Sequence, residues 1–126
     1  MIGFILLAMI FCHIIDDYYL QGWLASAKQK KWWQNNAPDE LYKRDYIAAL
    51  LCHAFSWTFM MMLPIAIYLK FTLSWLYVLY PINFIIHAII DDLKANKYKI
   101  NLVVDQLCHM TQILLTFGVF CLYIYC

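Results

Sequence analysis

MIGFILLAMIFCHIIDDYYLQ, residues 1–21, decides how the rest of the chain is read. Its first twelve residues are apolar enough for lipid. The next five place an imidazole, His13, and two carboxylates, Asp16 and Asp17, in the same continuous stretch. Such groups cost at least ~2.5–3.5 kcal/mol each at the centre of a bilayer, so they face a protein interior or a site.

The whole chain has the same character. Its 126 residues are 65% hydrophobic and 13% charged, with a mean hydropathy of +0.65, whereas soluble domains carry about a quarter charged residues. Apolar stretches at 2–20, 46–69, 71–93 and 102–126 each approach the ~20 residues a helix needs to cross ~30 Å of hydrocarbon. The expected fold is all-α, a polytopic membrane protein built as one bundle of four transmembrane helices. Residues 1–20 read as a retained span, because no basic segment precedes the apolar run and no small-x-small cleavage site follows it.

Orientation follows from the basic residues, which stay on the cytoplasmic side of short connectors. Lys28, Lys30, Lys31, Lys43 and Arg44 lie between the first and second spans, and Lys94, Lys97 and Lys99 between the third and fourth. Only Lys70 lies in the opposite hairpin. Both basic connectors are therefore expected in the cytoplasm and both termini outside. Topology accounts for these charges, and a net charge of +1 gives no reason to invoke nucleic acid. The connector 21–45 interleaves tryptophan and lysine in WLASAKQKKWW, as a segment lying at the headgroups does. Pro38-Asp39-Glu40 reads as the start of the second helix, and Pro64 and Pro81 fall inside the second and third.

The polar residues of the spans are regularly spaced. His13 precedes Asp17 by four residues, His87 precedes Asp91 by four, and Asp105 precedes His109 by four. Residues four apart on a helix differ by only about 40°, so each pair shares a face. His53 is the remaining histidine, so every span contributes one. With alternating helix directions, all seven side chains fall at one depth, on the cytoplasmic side.

Neutral imidazole and carboxylate are the ligands of Zn²⁺, Mn²⁺ and Fe²⁺, and a cation compensates buried negative charge. His13, Asp17, His53, His87, Asp91, Asp105 and His109 are the candidate ligands. Seven exceed the needs of one tetrahedral ion, so the count suits either two ions or one ion with outer carboxylates orienting the histidines. The competing reading is a hydrogen-bonded His/Asp network that pins the bundle or relays protons.

Around this set, Asp16 lies at the edge of the His13 face, as an extra ligand or a solvated carboxylate. Asp92 is turned about 140° from His87 and is expected to point away. Lys94 returns to the site face at the rim, where it holds an anionic group or snorkels to the interface. Gln21 and Gln106 are placed for hydrogen bonds within the site or to substrate, while Asn83 and Gln112 either join helices, the favoured reading, or line a deeper cavity. Cys12, Cys52 and Cys108 each precede a histidine, and the 100° rotation between neighbours makes them packing residues. Cys121 and Cys126 lie toward the other end. The tryptophans read as belt and packing residues.

The strings HIIDDYYLQ, LLCHAFSW, HAIIDDLKA and DQLCHM resemble the successive motifs of a small bacterial and phage family of integral membrane proteins of unknown function. The likeness covers nearly the whole chain and sets His13, Asp17, Leu20, Gln21, His53, His87, Asp91, Asp105, Gln106 and His109 on the family's polar signature. Tyr18 stands where that family has Phe, and Asp16 and Asp92 where it has apolar residues. A looser similarity, to inner-membrane proteins labelled metal-dependent hydrolases, rests on helical His-x-x-x-Asp pairs.

The expected protein is thus a bacterial inner-membrane metal-dependent hydrolase acting on a lipid or phosphate-bearing substrate. Asp17 or Asp105 would be the proton acceptor and Lys94 the anion holder. The alternatives are a metal-ion or proton transporter or channel, which needs a polar path that LLTFGVFCLYIYC hardly offers, and a structural or partner-binding membrane protein. Membrane lipids are the expected partners, and so small a bundle leaves room for a homo-oligomer.

Overall fold

A computed structural model describes residues 2–72 and 76–125, with only the backbone of residues 76 and 77. All regular structure among these residues is helical. Helix α1 (Ile2–Ile15) runs on into a π-helical turn, Asp16–Leu20. Two short helices, α2 (Leu24–Ala27) and α3 (Lys30–Asn36), and a 3₁₀ turn at Glu40–Tyr42 make up the connector. Three long helices follow: α4 (Asp45–Tyr68), α5 (Leu76–Ala95) and α6 (Leu102–Tyr125).

The segments Ile2–Leu20, Glu40–Tyr68 and Leu102–Tyr125 are long and apolar enough to cross a membrane. Helices suit that setting because every backbone group within them is satisfied internally, which lipid demands. Helices α4 and α6 match the expected stretches 46–69 and 102–126 to within a residue, Cys126 lying outside the described residues, but Pro38-Asp39-Glu40 leads into the separate 3₁₀ turn at Glu40–Tyr42 and does not start α4. The third span differs. Residues 71 and 72 form a turn and not a helix, because Lys70 (φ 52°) and Phe71 (φ 58°) adopt left-handed backbone conformations that a right-handed helix cannot continue. Residues 73–75 of the expected helix lie outside the described residues.

Helix α4 packs against both α1 and α5, and α6 closes against α5 and α1. The buried side chains fall into two layers. One is apolar: Ile5, Met9, Met61, Met62, Ile65, Ile113 and Phe120. The other contains His13, Asp16, His53, His87, Asp91, Asp105 and His109. Outside, Phe4, Phe11, Phe55, Phe59, Ile85, Leu107, Leu115 and Leu122 are exposed. Charge inside and large apolar groups outside reverse the order of a water-soluble surface, as a lipid-facing one does.

At the depth of the apolar layer Asn83, Gln112 and Thr116 join α5 to α6. The Gln112 amide donates to the Asn83 side-chain oxygen at 2.9 Å, and the Thr116 hydroxyl to the same oxygen at 3.1 Å. This is the helix-joining role expected of Asn83 and Gln112.

Candidate metal centre

Local structure sets the depth of each polar residue. Asn101 caps α6, its Oδ1 accepting the Val104 N–H at 2.9 Å. That fixes Asp105 in the first turn and His109 one turn on. On α1, the Gln21 N–H bonds to the Asp16 carbonyl at 3.0 Å, an i to i+5 contact that admits an extra residue into the turn. The wider turn brings Asp16, Asp17 and Gln21 all onto the site, where a regular helix would leave Asp16 at the edge. Gly22, at φ +49°, then reverses the chain into α2.

Each histidine has a distinct setting. His13 has both ring nitrogens occupied: Nδ1 accepts the Trp57 indole N–H at 2.7 Å, and Nε2 lies 3.1 Å from the Gln106 side-chain oxygen. Because an indole only donates, the His13 proton sits on Nε2 and is given to Gln106. Gln106 in turn donates to Asp17 at 3.3 Å and to Asp105 at 3.2 Å.

His53 is oriented the other way. Its Nε2 accepts from the Gln21 amide at 3.0 Å, so its proton sits on Nδ1, which faces Asp16 Oδ2 at 3.6 Å. Ser56 fixes Asp16 from the far side, its hydroxyl donating to Oδ1 at 2.5 Å. Asp16 thus faces His53 as an outer carboxylate faces a metal-ligating histidine, while the Nε2 lone pair is turned to Gln21, which would have to release it for His53 to bind a cation.

The donor atoms converge. His53 Nε2 is 3.3 Å from His87 Nε2, 3.3 Å from Asp91 Oδ2 and 3.4 Å from Asp17 Oδ1. His109 Nε2 is 3.5 Å from Asp91 Oδ1 and 3.3 Å from Asp105 Oδ1. For metal–ligand distances of about 2.0–2.1 Å, tetrahedral ligand atoms lie about 3.3–3.4 Å apart. Two triplets, Asp17–His53–His87 and His87–Asp91–His109, have donor atoms within 4.8 Å of one another, and His87 belongs to both. His13 and Asp105 flank these triplets and do not join them.

Burial and charge also suit a cation. Asp16 Oδ2, His53 Nδ1, His87 Nδ1, Asp105 Oδ1 and both nitrogens of His109 are buried without a hydrogen-bond partner, although buried polar atoms are nearly always satisfied. Four carboxylates, Asp16, Asp17, Asp91 and Asp105, meet two ammonium groups, Lys28 at 2.5 Å from Asp91 and Lys94 at 2.6 Å from Asp105. With neutral imidazoles two negative charges are left over, the charge of one divalent ion.

Asp17, Lys28, Asp91, Lys94, Asp105 and Gln106 line a polar cavity of about 170 Å³ at this end of the bundle. Asp92 points away, paired with Lys97 at 3.1 Å. Cys12, Cys52 and Cys108 are free thiols outside both triplets.

Three residues were missed or left open in the sequence. Lys28 reads as a topological charge, yet it is 8% exposed because α2 folds back under the bundle. Asn96 holds that fold, accepting from the Lys30 backbone N–H at 2.7 Å and donating to the Lys28 carbonyl at 3.1 Å. Trp57 reads as packing, yet it is fully buried and stacks on His87 at 4.0 Å between ring centroids. Asp16, which the sequence allows as a ligand or as a solvated carboxylate, is buried beside His53. In the connector Trp23, Trp32 and Trp33 cluster, with centroids 5.0–5.9 Å apart.

The chain matches the family described as "Protein of unknown function (DUF3307)" over residues 5–124 and belongs to that family. No curated protein and no solved structure shows significant similarity to it.

Proposed function

We propose that the chain is a four-span membrane protein, α5 supplying the third span, with a divalent-metal centre near the cytoplasmic face. We further propose that it hydrolyses a phosphate ester carried on a lipid. The observation that carries this reading is the pair of His/Asp triplets that share His87 and whose Asp17 and Asp91 line a cavity together with Lys28 and Lys94.

His87, Asp91 and His109 would hold the ion, with His53 beside them. A bound divalent cation, whether Zn²⁺, Mn²⁺ or Fe²⁺, supplies Lewis acidity to a water and a phosphoryl oxygen. The second triplet, through Asp17 and His53, leaves room for a second ion. Where Asp17 is not a ligand, it lines the cavity and is held by Gln106, positioned to take the proton of an attacking water. The water oxygen bonds to phosphorus as the ester oxygen leaves and is protonated from solvent. Asp105 is bound to Lys94 and Gln106, so it orients His109 and the rim in preference to accepting that proton. Lys94 complements the phosphate, and His13 positions Gln106 and Trp57.

Transport would require a polar path through the bundle. The apolar layer around Met9, Met61, Ile65 and Phe120 lies across it, which favours a site open at one end. Lys and Arg asymmetry supports a bacterial inner-membrane protein with that end in the cytoplasm. The test is phosphate release from phosphatidic acid in proteoliposomes. Release that a chelator stops and added Zn²⁺ or Mn²⁺ restores, and that Asp17→Asn lowers by about 10²-fold or more, supports the reading. Metal-independent release, or none with any divalent ion, rejects it.

A further inference from the structure

The His/Asp cluster receives a cation from the chain itself. Lys28, directly after α2, is buried and lines the polar cavity beside Asp17 and Asp91. Its ammonium lies 2.5 Å from Asp91 Oδ2. Lysine is buried to this extent almost only against an opposite charge, so the carboxylate holds it there.

Packing holds the rest of the segment weakly. Ala27 is the one buried residue within α2, and α3 has none. The Trp33 indole N–H donates to the Ala27 carbonyl at 2.6 Å, which ties α3 to α2 as one strap. Asn96, just beyond the end of α5, latches that strap by accepting the Lys30 N–H at 2.7 Å and donating to the Lys28 carbonyl at 3.1 Å. At the other end Gly22 has φ +49°, a conformation that glycine enters and leaves without steric cost. A segment with so little buried apolar surface opens far more readily than the long helices.

The oxygen that Lys28 holds also suits an ion, since Asp91 Oδ2 is 3.3 Å from His53 Nε2. An ion bound there at about 2.0–2.1 Å would lie within about 5 Å of an ammonium 2.5 Å from the same oxygen. Like charges that close repel strongly at the effective dielectric of a protein interior. The ammonium and the ion therefore cannot both keep that oxygen.

We propose that α2 and α3 form a strap whose Lys28 ammonium plugs the cation seat at Asp91, and that a divalent ion entering there displaces it and loosens the strap. Lys28 then withdraws from the cavity it lines, which enlarges the cavity only in the metal-loaded protein. The inference rests on the metal centre proposed above and not on the hydrolytic step.

Hydrogen–deuterium exchange of the full chain in detergent, first chelator-treated and then loaded with Zn²⁺ or Mn²⁺, tests this, with elemental analysis of the same samples. Loading should speed exchange of the amides of 24–36 at least tenfold, while α4 and α6 exchange no faster than before. Lys28→Gln removes the plug, so its strap should exchange at the fast rate with or without metal. Asn96→Ala leaves every His and Asp of the cluster in place, and should speed metal uptake at least tenfold at unchanged final content. Three results overturn the plug and leave the metal centre standing: metal bound with strap exchange unchanged, a Lys28→Gln strap as protected without metal as the wild type's, or uptake by Asn96→Ala no faster than by wild type. No metal in either wild type or Lys28→Gln rejects the centre and the displacement together.

Discussion

Lys28 Nζ lies 2.5 Å from Asp91 Oδ2, the oxygen that also faces His53 Nε2 at 3.3 Å. A lysine from the connector thus occupies a carboxylate of the His87–Asp91–His109 triplet. An ammonium and a divalent cation compete for that oxygen, so removing the ammonium favours the metal. Lys28→Gln should tighten divalent binding by about tenfold, equivalent to about 1.4 kcal/mol, in a competitive chelator titration. Unchanged or weaker binding would show that Lys28 does not oppose the ion.

Asp16 acts through His53. Asp16→Asn removes the carboxylate facing His53 Nδ1, and outer-shell changes of this kind cost about 10–100-fold in metal affinity. Ser56→Ala should cost less, since Asp16 remains. Equal affinity in wild type and Asp16→Asn would remove the orienting role.

Trp57 joins two histidines, donating to His13 and stacking on His87. Trp57→Phe keeps a ring over His87 but leaves a buried His13 acceptor unpaired, at about 1–3 kcal/mol. The expected result is a lower unfolding temperature in detergent with metal content retained. Metal loss at unchanged stability would show that the indole holds the ligand geometry and not the bundle.

The Asn83–Gln112–Thr116 cluster serves as the contrast. Gln112→Leu removes interhelical hydrogen bonds worth about 0.6–2 kcal/mol in membranes. Stability should fall by that amount while metal binding stays as in wild type. A metal defect in this variant would mean that the cluster belongs to the site.

What the sequence revealed and what it concealed have separate physical causes. The i, i+4 pairs at His13/Asp17, His87/Asp91 and Asp105/His109 are legible because helix geometry alone puts them on one face. The meeting of all four histidines at one end of the bundle follows from the alternating directions of the helices that carry them. Asp16 was ambiguous because 100° per residue holds only for a regular helix, and the turn at Asp16–Leu20 is π-helical. Lys28 was hidden because its partner is 63 residues away and only the fold-back of α2 brings them together. Trp57 is one of five tryptophans, and no local pattern marks the one that stacks on a histidine. The start of α5 was placed early because the backbone reversal at Lys70 and Phe71 occurs without glycine or proline.

The most direct measurement is the metal content per chain of detergent-purified wild type, His87→Ala and His13→Ala, by elemental analysis. His87 belongs to both triplets, whereas His13 gives both its nitrogens to Trp57 and Gln106. One or two divalent ions per wild-type chain are expected, with near-complete loss in His87→Ala and substantial retention in His13→Ala. No stoichiometric metal in wild type, or undiminished metal in His87→Ala, would contradict the proposed centre.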